Sequence, residues 1–304
     1  MSDPILFDES FMRKLEQLSL VVRRIKRLGY KGERRSTRRG QSVEFADYRN
    51  YVKGDDLRAL DWNIYARLER PFIKLFEEEV DQTVHILFDT SASMNWPQIS
   101  SLTTQTPDEN KWQFTRRLVA ALGYIALSNN DRLFVSGLSD ANAQTWGPER
   151  RKQSIHRLLK YLADCQSTGQ TNLNQTLKAY AQRAKRPGLL FIISDFLSND
   201  DYQAGLNMLQ NRGHEIAVLH LLSPDEIDPV LSGDFQLRDV ETDTQQDLTI
   251  NATLKRLYRQ HFETWQNDIQ QFCQRRNINY VLINTDQPFE TLILRFLRQR
   301  GFIY

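Results

Sequence analysis

Cysteine is scarce in this 304-residue chain: only Cys165 and Cys273 occur, far apart and in no CxxC pair. That excludes a disulfide framework and a cysteine-built zinc site, and reads as two reduced thiols within helical segments. The five histidines (His85, His156, His214, His220 and His261) show no zinc-ligand spacing. No apolar run approaches the roughly 20 residues needed to span a bilayer. Met-Ser-Asp-Pro at the start is acidic and precedes no signal-like apolar core, so a soluble, cytoplasmic protein is expected. The formal net charge is only +2, which makes no global case for polyanion binding. There is no Gly-x4-Gly-Lys-Ser/Thr phosphate loop, which argues against the chain being an ATPase itself. No internal repeat is present.

What is there is enough apolar residue, 40% of the chain, for one large domain or two small ones. Phe11, Leu15, Leu18, Val22, Ile25 and Leu28 recur at spacings of three and four, predicting an amphipathic helix from about Glu9 to Leu28. From Val84 onward short apolar runs alternate with helical periods. Strands are expected near 83–88, 132–138, 189–194, 215–221 and 279–284. Helices are expected near 111–129, 148–164, 173–186, 200–212, 251–276 and 287–299. This alternation predicts an α/β fold, a doubly wound, mostly parallel sheet with helices on both faces. Ala143 to Trp146 is read as an antiparallel edge strand, and a hairpin insertion is expected near 234–250. Residues 81–304 form the main domain in this reading. Residues 1–80 are an extension of helix, basic loop and aromatic segment that packs on it. Asn95 to Asn110 is a polar loop, long for such a fold, read as mobile or part of a binding surface.

The most informative feature is Asp89-Thr90-Ser91-Ala92-Ser93, which follows the apolar run Val84 to Phe88. A buried strand there delivers one carboxylate and two alternating hydroxyls to a loop, the oxygen ligands that hard cations take. Two further segments follow in order: Gly169-Gln170-Thr171-Asn172-Leu173, and the strand Leu190 to Ser194 ending in Asp195. In open sheets ligands bind outside the carboxyl ends of the strands, so the three segments are expected to converge. Together they resemble the metal-ion-dependent adhesion site of von Willebrand factor A-like domains. The resemblance implies that Ser91, Ser93 and Thr171 supply neutral ligands and Asp89 and Asp195 the charge, to Mg2+ (or Mn2+). It also implies a coordination position open to an Asp or Glu of a protein partner, hence binding rather than turnover. A metal-dependent hydrolase would need a positioned base, and no His or Lys is adjacent in sequence to any of the three motifs.

Arg23 to Arg39 is strongly basic, with Glu33 the only acid in it. It is either a patch for nucleic acid or an anionic surface, or a solvated face whose arginines pair with acids elsewhere. In Gly40 to Arg67, Arg49, Arg58 and Arg67 recur among Glu44, Asp47, Asp55, Asp56 and Asp61, predicting an ion-pair network, and Trp62 is expected to bury its ring. This stretch, continuing to Glu77-Glu78-Glu79, resembles the signature of a bacterial family called domain of unknown function fifty-eight. That resemblance implies association with MoxR-type AAA+ ATPases in maturation or assembly of other proteins. The function expected is a non-enzymatic, metal-dependent protein-binding adaptor. The alternatives are a nucleic-acid or anionic-surface binder through 23–39 and a metal-dependent hydrolase.

Overall fold

A computed structural model describes residues 9–18, 20, 43–52, 60–78, 82–97, 110–138, 145–198, 201–238 and 245–296. The basic run 23–39 and most of the polar loop after Asn95, residues 98–109, lie outside the described residues. The chain divides into two compact units, residues 1–26 with 82–304, and residues 27–81. It begins with α1 (Glu9–Glu16). The smaller unit holds β1 (Val43–Asn50), α2 (Trp62–Leu68) and β2 (Phe72–Glu78). The main unit continues with β3 (Thr83–Asp89), α3 (Lys111–Ser128), β4 (Arg132–Leu138), β5 (Thr145–Glu149) and α4 (Ile155–Asp164). Then come α5 (Leu173–Arg183), β6 (Leu189–Ser194), α6 (Gln203–Asn211), β7 (Glu215–Leu222) and α7 (Pro224–Ile227). The hairpin β8 (Gly233–Arg238) and β9 (Gln245–Ile250) precedes the long α8 (Ala252–Arg275) and β10 (Asn279–Asn284).

Six strands form one sheet in the order β10-β7-β6-β3-β4-β5. All neighbours run parallel except β5, which pairs antiparallel with β4 as an edge strand. Every residue of β3 and β6 is buried, as expected for strands covered on both faces. Alternate side chains divide between two cores. Val84, Ile86 and Phe88 pack with Leu118, Leu122 and other residues of α3. Leu87, Leu190 and Ile192 pack on the other face with Leu177 of α5, Leu206 of α6 and Phe272 of α8. The period of two in a strand thus sends one apolar run into both layers. Caps mark the helix starts: Asn110, Asn172 and Asn251 accept from the backbone N–H of Gln113, Gln175 and Leu254 at 2.9, 2.8 and 2.9 Å.

Two expectations are corrected. Helix α1 ends at Glu16, where the expected helix was to run on, and its continuation through Val22, Ile25 and Leu28 lies outside the described residues. Its apolar face is used as predicted, since Phe11, Leu15 and Leu18 are buried. The carbonyls of Leu18 and Leu20 accept from Asn129 Nδ2 and Gln82 Nε2 at 2.8 and 3.2 Å, tertiary bonds that tie the segment after the helix to the main unit. In the smaller unit Trp62 is 62% exposed, not buried. It is the first residue of a short helix with no buried side chain, and its ring meets the edge of Tyr65 at 6.1 Å. Asp61 caps that helix by accepting from Asn63 N (2.9 Å) and Ile64 N (3.2 Å), and takes a hydrogen bond from Tyr48; Asp55, Asp56 and Arg58 of the expected ion-pair network lie outside the described residues.

Candidate metal centre

The sheet changes winding direction beside β3: its other crossovers lead to β4 on one side and to β6, β7 and β10 on the other. Such a switch point opens a crevice at the carboxyl ends of the strands. Asp89 ends β3, and Asp195 directly follows β6, its neighbour in the sheet. Both are buried, at 2% and 1% exposure.

The loop after β3 turns tightly because Asp89 Oδ1 accepts from Ser91 N at 2.9 Å. A single 3-10 turn over Ala92–Met94 then brings Ser93 Oγ to 2.9 Å from Ser91 Oγ. Asp89 Oδ2 accepts from Ser194 Oγ at 2.7 Å, tying the two strand ends together. Ser91 also hydrogen-bonds Asp89, and Ser93 hydrogen-bonds Asp195. The third segment lies against the same loop. Ala92 N donates to Gly169 O and Thr168 N to Thr90 O, both at 2.9 Å, and Ser167 Oγ donates to Ser91 O. Gly169 adopts a left-handed φ of 76°, which favours glycine at this turn. Thr171 is buried and joins the cluster through Leu138 O, to which its hydroxyl donates at 3.1 Å and that of Thr90 at 2.7 Å. Asn172 of the same motif caps α5.

The absence of a neighbouring Lys or His in sequence does not survive folding. Lys111, the first residue of α3, is fully buried, and its Nζ donates to Asp195 Oδ2 at 2.7 Å and to Glu226 Oε1 at 2.6 Å. Glu226 Oε2 is held in turn by Ser223 N at 2.8 Å. His220 Nε2 lies 2.9 Å from the Asp195 carbonyl and Nδ1 2.7 Å from Tyr280 Oη. The charge states follow from these contacts. Burial and the facing Asp195 carboxylate push Asp89 above the usual carboxylate range. Burial would also raise Asp195, but the Lys111 ammonium brings it below its ordinary value. Burial alone would lower Lys111, and its two carboxylates raise it instead. Glu226 is raised by burial, against the pull of Lys111. Burial keeps His220 neutral, down to about 4.

Beside Glu226 opens a cavity of about 390 Å3, lined by Phe196, Leu197, Tyr258, Phe262 and Trp265 among others. Leu197 donates its N–H to Asp195 Oδ1 at 3.1 Å, so cavity and carboxylate cluster share a wall. Lys111, Glu226 and Ser194 were missed in the sequence because their partners lie far along the chain. The available signal was a lysine at the first position of a helix, followed by Trp112 and Phe114.

The model of the family described as "Protein of unknown function DUF58" matches residues 47–271. The chain belongs to this family. Among relatives of this DUF58 chain, an uncharacterised protein of Mycobacterium tuberculosis (strain ATCC 25618 / H37Rv) is 24% identical over 268 residues, 86% of this chain and 81% of the relative. An uncharacterised protein of Mycobacterium avium is 26% identical over 129 residues, 42% of this chain and 76% of that one. Among solved structures, the conserved hypothetical protein BatB from Bacteroides thetaiotaomicron is similar with a TM-score of 0.44 and 13% identity, covering 72% of this chain and 98% of that one. An aerotolerance-related membrane protein from Bacteroides fragilis gives a TM-score of 0.42 and 15% identity over 72% of this chain and 99% of that one. Among the described residues of the DUF58 chain, no helix is long and apolar enough to cross a membrane. Nor do three His, Cys, Asp or Glu side chains converge on a common metal position among them.

Proposed function

We propose that this DUF58 chain is a non-enzymatic, metal-dependent protein-binding adaptor with a von Willebrand factor A-like main domain. In this reading it works with a MoxR-type AAA+ ATPase in maturation or assembly of other proteins, the partnership that the family signature implies. The observation that carries the metal reading is the charge and donor chemistry at the switch point. Asp195 and Glu226 share the single ammonium of Lys111 and Asp89 faces Asp195, so the cluster, fully ionised, has an excess of negative charge in a buried place. Burial makes such an excess costly unless a cation compensates it. Two carboxylates with the Ser91 and Ser93 hydroxyls are the oxygen donors that Mg2+ or Mn2+ prefers, so the residues fit the ion.

Asp89, Ser91, Ser93, Thr171 and Asp195 would hold it. When bound, the ion supplies a Lewis-acidic position to which an Asp or Glu of a protein partner adds its oxygen. The chain's own residues orient the donors: Ser194 and the Ser91 N–H fix the Asp89 carboxylate, and Lys111 and the Leu197 N–H fix that of Asp195. The cationic candidate for proton transfer near the site, Lys111, is bonded to two carboxylates and buried, which supports binding rather than hydrolysis. The test is recovery of partners by the full chain from its native cell, with Mg2+ or with EDTA, across a salt series. Loss with EDTA and retention at moderate salt supports the adaptor. Recovery that ignores EDTA and falls steeply with salt moves the function to the basic segment 23–39.

A further inference from the structure

Lys111 and a divalent ion need the same carboxylate. The ammonium is 2.7 Å from Asp195 Oδ2, with no exposed surface and hence no route into solvent short of moving α3. It has a second seat, however: Glu226 Oε1 at 2.6 Å, on a carboxylate whose other oxygen is anchored by Ser223 N. Asn110 caps the helix that carries Lys111 and donates to Asn95 Oδ1 at 2.9 Å, while Lys111 N donates to Trp96 O at 2.9 Å. The base of the lysine is therefore fixed to the loop that bears Ser91 and Ser93, and only its flexible stem can redistribute the charge between the two seats.

We propose that Lys111 is an internal competitor for the divalent ion. It occupies Asp195 in the resting protein, holds down the affinity of the site, and is retained by Glu226 when an ion takes Asp195. This deepens the metal reading above and rests on it. A positive charge a few ångströms from a bound cation opposes it strongly in a protein interior, so the resting site is weak and the anionic side chain of a partner is needed to complete it. The same ammonium keeps the carboxylates compensated when no ion is present. A lysine that served only as a strut would give a different pattern, because removing either end would loosen the structure without changing ion affinity in opposite directions.

The experiment is calorimetric titration of Mn2+ into the full-length wild type, Lys111→Met and Glu226→Gln, without partner. Lys111→Met is expected to bind Mn2+ about tenfold more tightly or better, and Glu226→Gln about threefold more weakly, because its lysine is left wholly to Asp195. If Lys111→Met does not fold, the double variant Lys111→Met/Glu226→Gln, which removes one charge of each sign, carries the test and is also expected to bind more tightly than wild type. Wild-type binding with equal or weaker affinity in the lysine variant overturns the competitor role and leaves the metal reading standing. Absence of Mn2+ binding in all the proteins overturns both. Binding only after Lys111 is removed supports the competitor in its strongest form.

Discussion

His85 and Asp89 lie on the same buried strand, β3, near its amino and carboxyl ends, and each is packed away from water. At the amino edge the answer is neutrality. His85 sits 2.8 Å from Tyr180 Oη and 3.0 Å from the Arg186 carbonyl, stacked on Phe134 and meeting the edge of His214. Burial, with His214 beside it, drops His85 to about 3, and burial drops His214 to about 4. Both imidazoles serve as polar packing. At the carboxyl edge charge is kept: Asp195 is lowered and Lys111 raised, and Asp89 remains short of a counter-charge. Desolvation penalises ions at both edges, so charge is kept only where ion pairing offsets it, as between Lys111 and Asp195.

Breaking the charged edge has the largest expected effect. Lys111→Met leaves buried carboxylates without their ammonium and should cost about 3–5 kcal/mol in urea unfolding without divalent ions. Saturating Mn2+ should return part of that loss through preferential binding to the folded state. A variant as stable as wild type would show that these carboxylates are not charged in the fold.

The neutral edge should respond less and without regard to metal. His85→Ala removes the ring stacked on Phe134 and strands the Tyr180 hydroxyl, at about 2–4 kcal/mol. The loss should be the same with Mn2+ and with EDTA. A metal-dependent loss would join the two edges that the comparison separates.

Acid sharpens the contrast. His85, His214 and His220 are held at about 3, 4 and 4 in the fold, against 6.5 for the free side chain. Their contribution to stability is whole above pH 6.5 and is lost as the pH falls toward 4, because the unfolded chain takes up protons that the folded one refuses. Asp131 works the other way. Burial raises it from 3.8 to about 7, so its contribution is present below its unfolded value and lost as the pH rises to about 7. The gain at Asp131 offsets part of the histidine loss as the pH falls, so between pH 6.5 and 4 the melting temperature should fall more steeply in Asp131→Asn than in wild type. A flatter profile in that variant would contradict the assignment.

The smallest effect is expected at Asp89. Asp89→Asn keeps the shape of the side chain and removes the repulsion with Asp195, so stability without metal should stay within about 1 kcal/mol of wild type.

The central strands were legible because an apolar run bounded by polar residues has few alternatives once it is long enough to be buried. β3, β6 and β7 lie within a residue of their expected limits. Asp89, Ser91, Ser93 and Asp195 were placed together by a rule about strand ends, which needs only the order of the elements. Lys111 was not legible, since its pairing with Asp195 and Glu226 spans 84 and 115 residues and leaves no local pattern. The end of α1 was missed because the periodicity continues past Glu16, where side chains from distant segments take the carbonyls of Leu18 and Leu20. Trp62 shows the opposite error, an aromatic residue assigned to a core by type alone when its helix buries none of its side chains.

Asp89 is the residue through which the carboxyl edge of the sheet would take a divalent ion. Calorimetric titration of Mn2+ into the full chain near neutral pH, wild type beside Asp89→Asn, decides it. The expected result is one ion bound by wild type and none by Asp89→Asn, with both proteins melting alike in EDTA. Equal binding by the two, or no binding by wild type and by Lys111→Met alike, would contradict it.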